Sequence, residues 1–300
     1  MVVTGPEVVD APSADSREAL PAVAPLHEIE GPTALGGSLR RFAYLTFTIA
    51  TTEFRLRFYG SVLGYFWQLF RPLLLFATLY VVFTHMVKVG GAVPHYPAIL
   101  LMNIVLFTFF GEGASAVTSV VDREQLVRKI QVPRLAIPLA VTVTALFNLA
   151  LNLLVVLLFV LANGNPVRLS WLEIPVLVGA LTFLAAGFAM LVSALYVRYR
   201  DVKPIWDVFM QVLFYATPVI YVLDGVDAFS DRFKEYLAMN PVATVLIQMR
   251  HSVVDPSAPS AADAVGGAIW LLVPIGIALF VIVLGYRTFN REAPRIAEEL

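Results

Sequence analysis

The chain has 300 residues, 59% of them hydrophobic and 14% charged, with 21 Phe, 11 Tyr and a mean hydropathy of +0.78. That much apolar surface excludes a soluble globular domain and indicates an integral membrane protein. A net charge of −1 excludes the basic excess a nucleic-acid binder needs, and the absence of cysteine excludes disulfides, thiol catalysis and cysteine metal sites.

Residues 1–37 mix Pro, Ala, Asp and Glu without periodicity and lack the basic start and apolar core of a cleavable signal, which predicts a flexible cytoplasmic tail. Over residues 38–68 the aromatics Phe47, Phe54, Phe58 and Tyr65 are spaced by seven, four and seven, so they fall on one helical stripe, while Arg40, Arg41, Arg55 and Arg57 make the remainder basic. This pattern predicts an amphipathic helix on the inner membrane surface. Glu53, Arg55 and Arg57 near its middle weigh against a further span, because each is costly in hydrocarbon.

Six apolar runs follow, at about Leu69–Val89, Tyr96–Val121, Leu135–Ala162, Leu172–Val197, Pro204–Leu223 and Gly266–Phe289. Each can cross roughly 30 Å of hydrocarbon as a helix rising about 1.5 Å per residue. Of the 21 basic residues, all but Lys88, Arg168, Arg232, Lys234 and Arg250 fall on one side of the resulting topology. Basic residues near span ends stay in the cytoplasm, so both termini are predicted there, with a plasma-membrane, multi-pass chain between them. A cytoplasmic C-terminal tail is expected over 291–300, and a transmembrane domain over 38–290.

The loop 120–134, within "VVDREQLVRKIQVPRL", is a dense charged knot in an apolar chain. Asp122, Arg123, Glu124, Leu126, Val127, Arg128 and Lys129 form a helix-compatible stretch of mixed charge, stopped at Pro133 by the missing N–H. Mixed charge suits a cleft in another protein better than an anionic lipid surface, which predicts a partner-binding helix; an ordinary positive-inside loop is the alternative. On the opposite side, residues 224–254 hold Phe229, Phe233 and Leu237 on one helical face, then an Asn240-Pro241 break, then Val242, Val245, Leu246, Met249 and Val253. Two short amphipathic helices dipping into the outer leaflet are expected there.

The chain has no phosphate-cradling G-x-x-x-x-G-K-[ST] loop, no H-E-x-x-H and no G-x-S-x-G, and its four histidines are scattered. No reaction centre or metal site is expected, so any energy source must be a partner.

"RLRFYGSVLGYFWQLFRPLLLFATLYVVF" (55–83), "VRKIQVPRLAIPL" (127–139), "VRYRDVKPIWDVFMQVLFYATPVIY" (197–221) and "MNPVATVLIQMR" (239–250) together resemble, in order and spacing, the type-2 ABC exporter permeases for polysaccharide and teichoic acid, the Wzm and TagG group. The resemblance covers about residues 38–290. It implies an all-α membrane protein with six transmembrane helices per protomer, an interfacial N-terminal helix, a short coupling helix and two outer gate helices between spans five and six. It further implies a homodimer around a central channel, two copies of a separate ATPase subunit carrying ATP and Mg, and no cofactor in this chain.

A carbohydrate polymer benefits from aromatic stacking without tight sites. Phe70, Tyr80, Phe214, Tyr215 and Tyr221 are the expected channel lining, with an interfacial aromatic belt as the alternative. Arg55, Arg57 and Arg71 can meet the pyrophosphate of a polyprenyl-linked glycan at the entrance by charge-assisted hydrogen bonds, and positive-inside bias explains them also. The outer gate is assigned to Phe229, Phe233, Leu246 and Met249. Alanine- and valine-rich spans behind an acidic Pro/Ala front fit a high-GC bacterium, where the resemblance suggests an actinobacterial exporter of lipid-linked cell-wall galactan. A small-lipid or drug exporter on the same fold and a membrane-embedded glycosyltransferase are the competing readings.

Overall fold

Apolar runs interrupted by Pro and Gly fold here into helices alone among the described residues. The structure, a computed structural model, describes residues 38–58, 62–86, 93–123, 133–226 and 228–299. The helices are α1 (Leu39–Phe58), α2 (Val62–Val81), α3 (Tyr96–Ala114), α4 (Ala136–Ala162), α5 (Ile174–Arg198), α6 (Val202–Ala216), α7 (Asp231–Ala238), α8 (Pro241–Met249), the single turn α9 (Ala261–Ala264) and α10 (Leu272–Glu299). A π-helical turn extends α2 over Val82–Met86 and another extends α8 over Arg250–Val254. α10 continues through most of the predicted tail at 291–300.

Among the described residues, five segments are long and apolar enough to span a membrane: Phe66–Met86, Tyr96–Ala114, Ala136–Ala162, Leu169–Arg198 and Ala268–Ala293. The predicted fifth run, Pro204–Leu223, differs from expectation: α6 is only 15 residues long. Its helix stops because Pro218 has no N–H and disfavours helical geometry at Thr217, which is extended at φ −103° and ψ 138°. The non-helical backbone beyond the break is satisfied from α3. Asn103 donates from Nδ2 to the Pro218 carbonyl at 3.0 Å, and the Tyr96 hydroxyl donates to the Ile220 carbonyl at 2.7 Å. Irregular backbone is tolerated at membrane depth only where protein supplies such partners.

α3 is apolar all round and is accordingly the buried hub, with Ile99, Leu100, Leu106 and Phe110 all inaccessible. It packs against α2, α4, α5 and α8. α5 and α10 make the most extensive helix pair, and small residues allow their close approach. A Cβ on Gly285 would collide with the Gly187 carbonyl oxygen, and one on Gly187 would lie 3.0 Å from the Ile282 amide nitrogen.

α1 lies along α4. Its aromatic stripe packs on protein: the rings of Phe47 and Phe54 both meet Phe147 of α4 edge-on, at 5.7 and 5.6 Å. Ala50 is fully buried, and Thr144 of α4 donates to its carbonyl at 3.4 Å. Edge-on ring pairs contribute about 0.5–1.5 kcal/mol beyond area burial, enough to orient a helix that is otherwise polar. The side chains of Phe58 and Tyr65 lie outside the described residues.

Candidate functional site

Three groups of predicted residues can be placed. At the end of the bundle where α3 stops and α4 begins, the chain leaves α3 in successive turns, with Asp122 N–H donating to the Thr118 carbonyl at 2.9 Å and the Thr118 hydroxyl donating to Asp122 Oδ2 at 2.7 Å. Arg123 reaches from this turn segment to α1, where its guanidinium is ion-paired with Glu53. Burial pushes the Glu53 carboxyl above its ordinary range, and the Arg123 charge and hydrogen bond pull it partway back. Glu124, Leu126, Val127, Arg128 and Lys129, the rest of the predicted coupling helix, lie outside the described residues.

The turn segment, α1, the last turn of α3 and the first half of α4 enclose a cavity of about 190 Å³ that includes Glu53, Arg57, Glu112, Asp122, Arg123 and Asn148 in its walls. Asn148 donates from Nδ2 to Glu112 Oε2 at 2.9 Å. Of the three predicted entrance arginines, only Arg57 lines this cavity; Arg55 and Arg71 are exposed elsewhere. The Glu112 carboxylate on α3 thus meets an amide of α4. Sequence reading missed Asn148. Its signal was present, because Thr144, Asn148 and Asn152 recur every four residues and so mark one polar stripe on an apolar helix.

The aromatics separate into two sets. On α2, Phe70 stacks with Phe66 at 5.0 Å and meets Trp67 at 5.8 Å, while Tyr80 stacks on Phe76 at 5.7 Å. From α6 onward the rings form two runs joined at the Tyr215 backbone. Phe214 meets Phe107 at 5.2 Å and Tyr215 at 5.4 Å; the Tyr221 hydroxyl donates to the Tyr215 carbonyl at 3.1 Å; the Tyr221 ring faces Phe229 at 6.4 Å, and Phe229 faces Phe233 at 5.0 Å. Tyr215 is 60% exposed, whereas Phe214 is half-buried.

The paired helices at 231–249 follow the expected break. Asn240 caps α8, its Oδ1 accepting from Val242 N–H at 3.0 Å, and Pro241 occupies the first helical position. Phe229 and Phe233 retain exposure, but Leu246 and Met249 are buried in the core with α3, so they hold the α8 helix in place. Further ties come from Glu173 at the foot of α5, whose Oε2 accepts from Ser252 Oγ at 2.5 Å and from Gln248 Nε2 at 2.8 Å. An ion pair of 3.0 Å joins Arg250 to Asp224.

The sequence pattern of the family described as ABC-2 type transporter matches residues 44–254. Among proteins with similar sequences, an O-antigen export system permease protein RfbA of Klebsiella pneumoniae is 25% identical over 208 residues, covering 69% of this chain and 78% of the relative. The O-antigen export system permease protein RfbA of Myxococcus xanthus is 27% identical over 212 residues, covering 69% and 79%.

Proposed function

The chain belongs to the ABC-2 type transporter family, and we propose that it is the transmembrane subunit of an ATP-driven exporter of a polyprenyl-pyrophosphate-linked cell-envelope polysaccharide, working as a homodimer with two copies of a separate ATPase subunit. The observation that carries this reading is the succession of two ring runs, Phe214–Tyr215 and Tyr221–Phe229–Phe233, joined at the Tyr215 backbone, which links α6 to the paired short helices. A hydroxyl-rich polymer has apolar C–H faces, and rings in succession bind those faces repeatedly without a tight site that would stop sliding. Phe70 and Tyr80 on α2 supply the facing surface when two copies pair, and α2 exposes Phe66, Trp67, Leu74 and Leu75 for such pairing.

ATP binding and hydrolysis belong to the partner, with Mg, and the partner grips the loop around Asp122 and Arg123. Through the Glu53 pair, movement of that loop is passed to α1. Both termini are cytoplasmic in this arrangement. Arg55, Arg57 and Arg71 attract the pyrophosphate, and Phe229 and Phe233 move aside as the outer gate while Leu246 and Met249 anchor it.

Co-expression with the candidate ATPase subunit, followed by ATPase assays in nanodiscs and assay of glycan at the cell surface, tests this reading. The wild type should co-purify and export; Arg123→Glu with Arg128→Glu and Lys129→Glu should remain folded and lose the subunit. Stimulation by small lipids with no surface glycan would instead identify a small-lipid exporter on the same fold.

A further inference from the structure

The cavity walled by Glu53, Arg57, Glu112, Asp122, Arg123 and Asn148 combines acceptors and donors in a way that matches one kind of ligand. Asn148 is only 2% exposed. Its Nδ2 is committed to Glu112, and its Oδ1 is buried with no hydrogen-bond donor among the described residues. The amide cannot be turned round to relieve this, because its oxygen would then face the Glu112 carboxylate. A buried acceptor without a donor is costly, so the site is built to receive one. Donors in the same walls come from the guanidinium group of Arg57, and that of Arg123 is shared with Glu53. A second, smaller space is also lined by Glu112 and Asn148, together with Gln68 and Pro72 of α2, Thr108 and Asn152.

Acceptors and donors side by side in one cavity suit a ligand with several hydroxyls, each of which both donates and accepts. A divalent cation fits poorly: no three His, Asp or Glu among the described residues lie close enough together to hold one. A phosphate fits poorly as well, since it would place negative charge beside Glu112 and Asp122 and offer nothing to Asn148 Oδ1.

We infer that this cavity is a hydroxyl-binding site for a single sugar unit of the exported glycan, holding vicinal hydroxyls between Asn148 Oδ1 and the Glu112 carboxylate. The inference rests on the polysaccharide-export reading and adds to it where the polymer is held before it enters the channel.

Trp206 provides the readout, because its Nε1 donates to the Oγ of Ser115, a cavity-lining residue, at 2.9 Å. The full chain with its ATPase subunit is placed in nanodiscs with Trp67, Trp171 and Trp270 replaced by Phe. D-glucose and D-galactose are then titrated against glycine betaine, which has no donors, at matched osmolality. At least one hexose should give a saturable change in Trp206 fluorescence that betaine does not, and Asn148→Leu and Glu112→Gln should each weaken it at least tenfold while still co-purifying with the subunit. If Asn148→Leu does not fold, the milder Glu112→Gln decides. No saturable response, or an unchanged response in the folded variants, means that the cavity holds water only, and the inference falls while the exporter reading stands. Absence of surface glycan from the wild-type complex overturns the exporter reading whatever the hexoses do.

Discussion

The carboxylate of Glu53 on α1 is ion-paired with the guanidinium of Arg123, 70 residues away on the turn that follows α3. α1 is also held to the bundle by Thr144, which donates to the Ala50 carbonyl, and by Phe47, Ala50 and Phe54. The pair ties α1 directly to the turn that follows α3. Arg123→Glu should uncouple ATP hydrolysis from export, and the exchange Glu53→Arg with Arg123→Glu should restore much of it. A double-mutant cycle on glycan-stimulated ATPase rate checks this; additive losses in the two single variants would show that the residues act separately.

The same pair sets a pH response. Burial raises the Glu53 carboxyl above the ordinary value of 4.5, so the folded protein takes up this proton more readily than the unfolded chain. The contribution of Glu53 protonation to stability is thus present below that ordinary value and is lost as pH rises through the higher folded value. Acidification into this window breaks the ion pair without weakening the fold. Coupled ATPase activity should fall at a pH above the ordinary carboxylate range while the unfolding temperature holds, and Glu53→Gln should abolish this limb of the profile.

Gly285 on α10 is packed directly on the Gly187 carbonyl of α5. Gly285→Ala forces the two helices apart and should destabilise by about 1–3 kcal/mol, the usual cost of overpacking. Gly276 lies on the same helix, and a Cβ there meets nothing within 4 Å. Gly276→Ala should therefore be neutral or stabilising by up to about 1 kcal/mol, from helix propensity. Thermal unfolding in detergent distinguishes the two.

Asn240 works in two directions, capping α8 and donating from Nδ2 to the Thr217 hydroxyl at 2.9 Å. Asn240→Ala should cost about 2 kcal/mol in all, since loss of a cap alone costs about 1 kcal/mol. Asn240→Ser keeps a capping oxygen but is too short to reach Thr217, and should recover roughly half. Hydrogen exchange of the α8 amides measures both.

In the ring runs, Tyr221→Phe removes only the bond to the Tyr215 carbonyl, whereas Tyr221→Ala removes the ring between Tyr215 and Phe229. Export rate should change less than threefold in the first and fall at least tenfold in the second, measured as surface glycan at equal protein. Equal effects would assign Tyr221 to holding the backbone.

The elements most legible in the sequence were those ended by local chemistry. Asn240-Pro241 marks the junction between α7 and α8 because cap and proline act through adjacent backbone atoms, and the runs at Tyr96, Leu135 and Leu172 are long enough to need no other signal. The fifth run was misleading for a different reason. Hydropathy continues past Ala216, but Pro218 ends the helix, and only Asn103 and Tyr96, more than a hundred residues earlier, make the exposed carbonyls tolerable. The stripe on α1 was correctly periodic, yet periodicity does not say whether lipid or Phe147 covers it. The cavity depends on the meeting of Glu112 with Asn148, a long-range pairing that neither residue's neighbours specify.

The stop at Pro218 also bears on the bilayer. At about 1.5 Å per residue, the 15 residues of α6 rise about 22 Å, roughly 8 Å short of a typical hydrocarbon core, whereas the 27 residues of α4 rise about 40 Å. The helical part of the α6 wall therefore falls short of the hydrocarbon thickness, the extended backbone after Thr217 must cover the rest, and hydrophobic mismatch should act first on this side, beside the chain that leads to α7 and α8. Membrane thickness becomes a variable that acts directly on this part of the protein, and shorter-chain lipids relieve the mismatch there first.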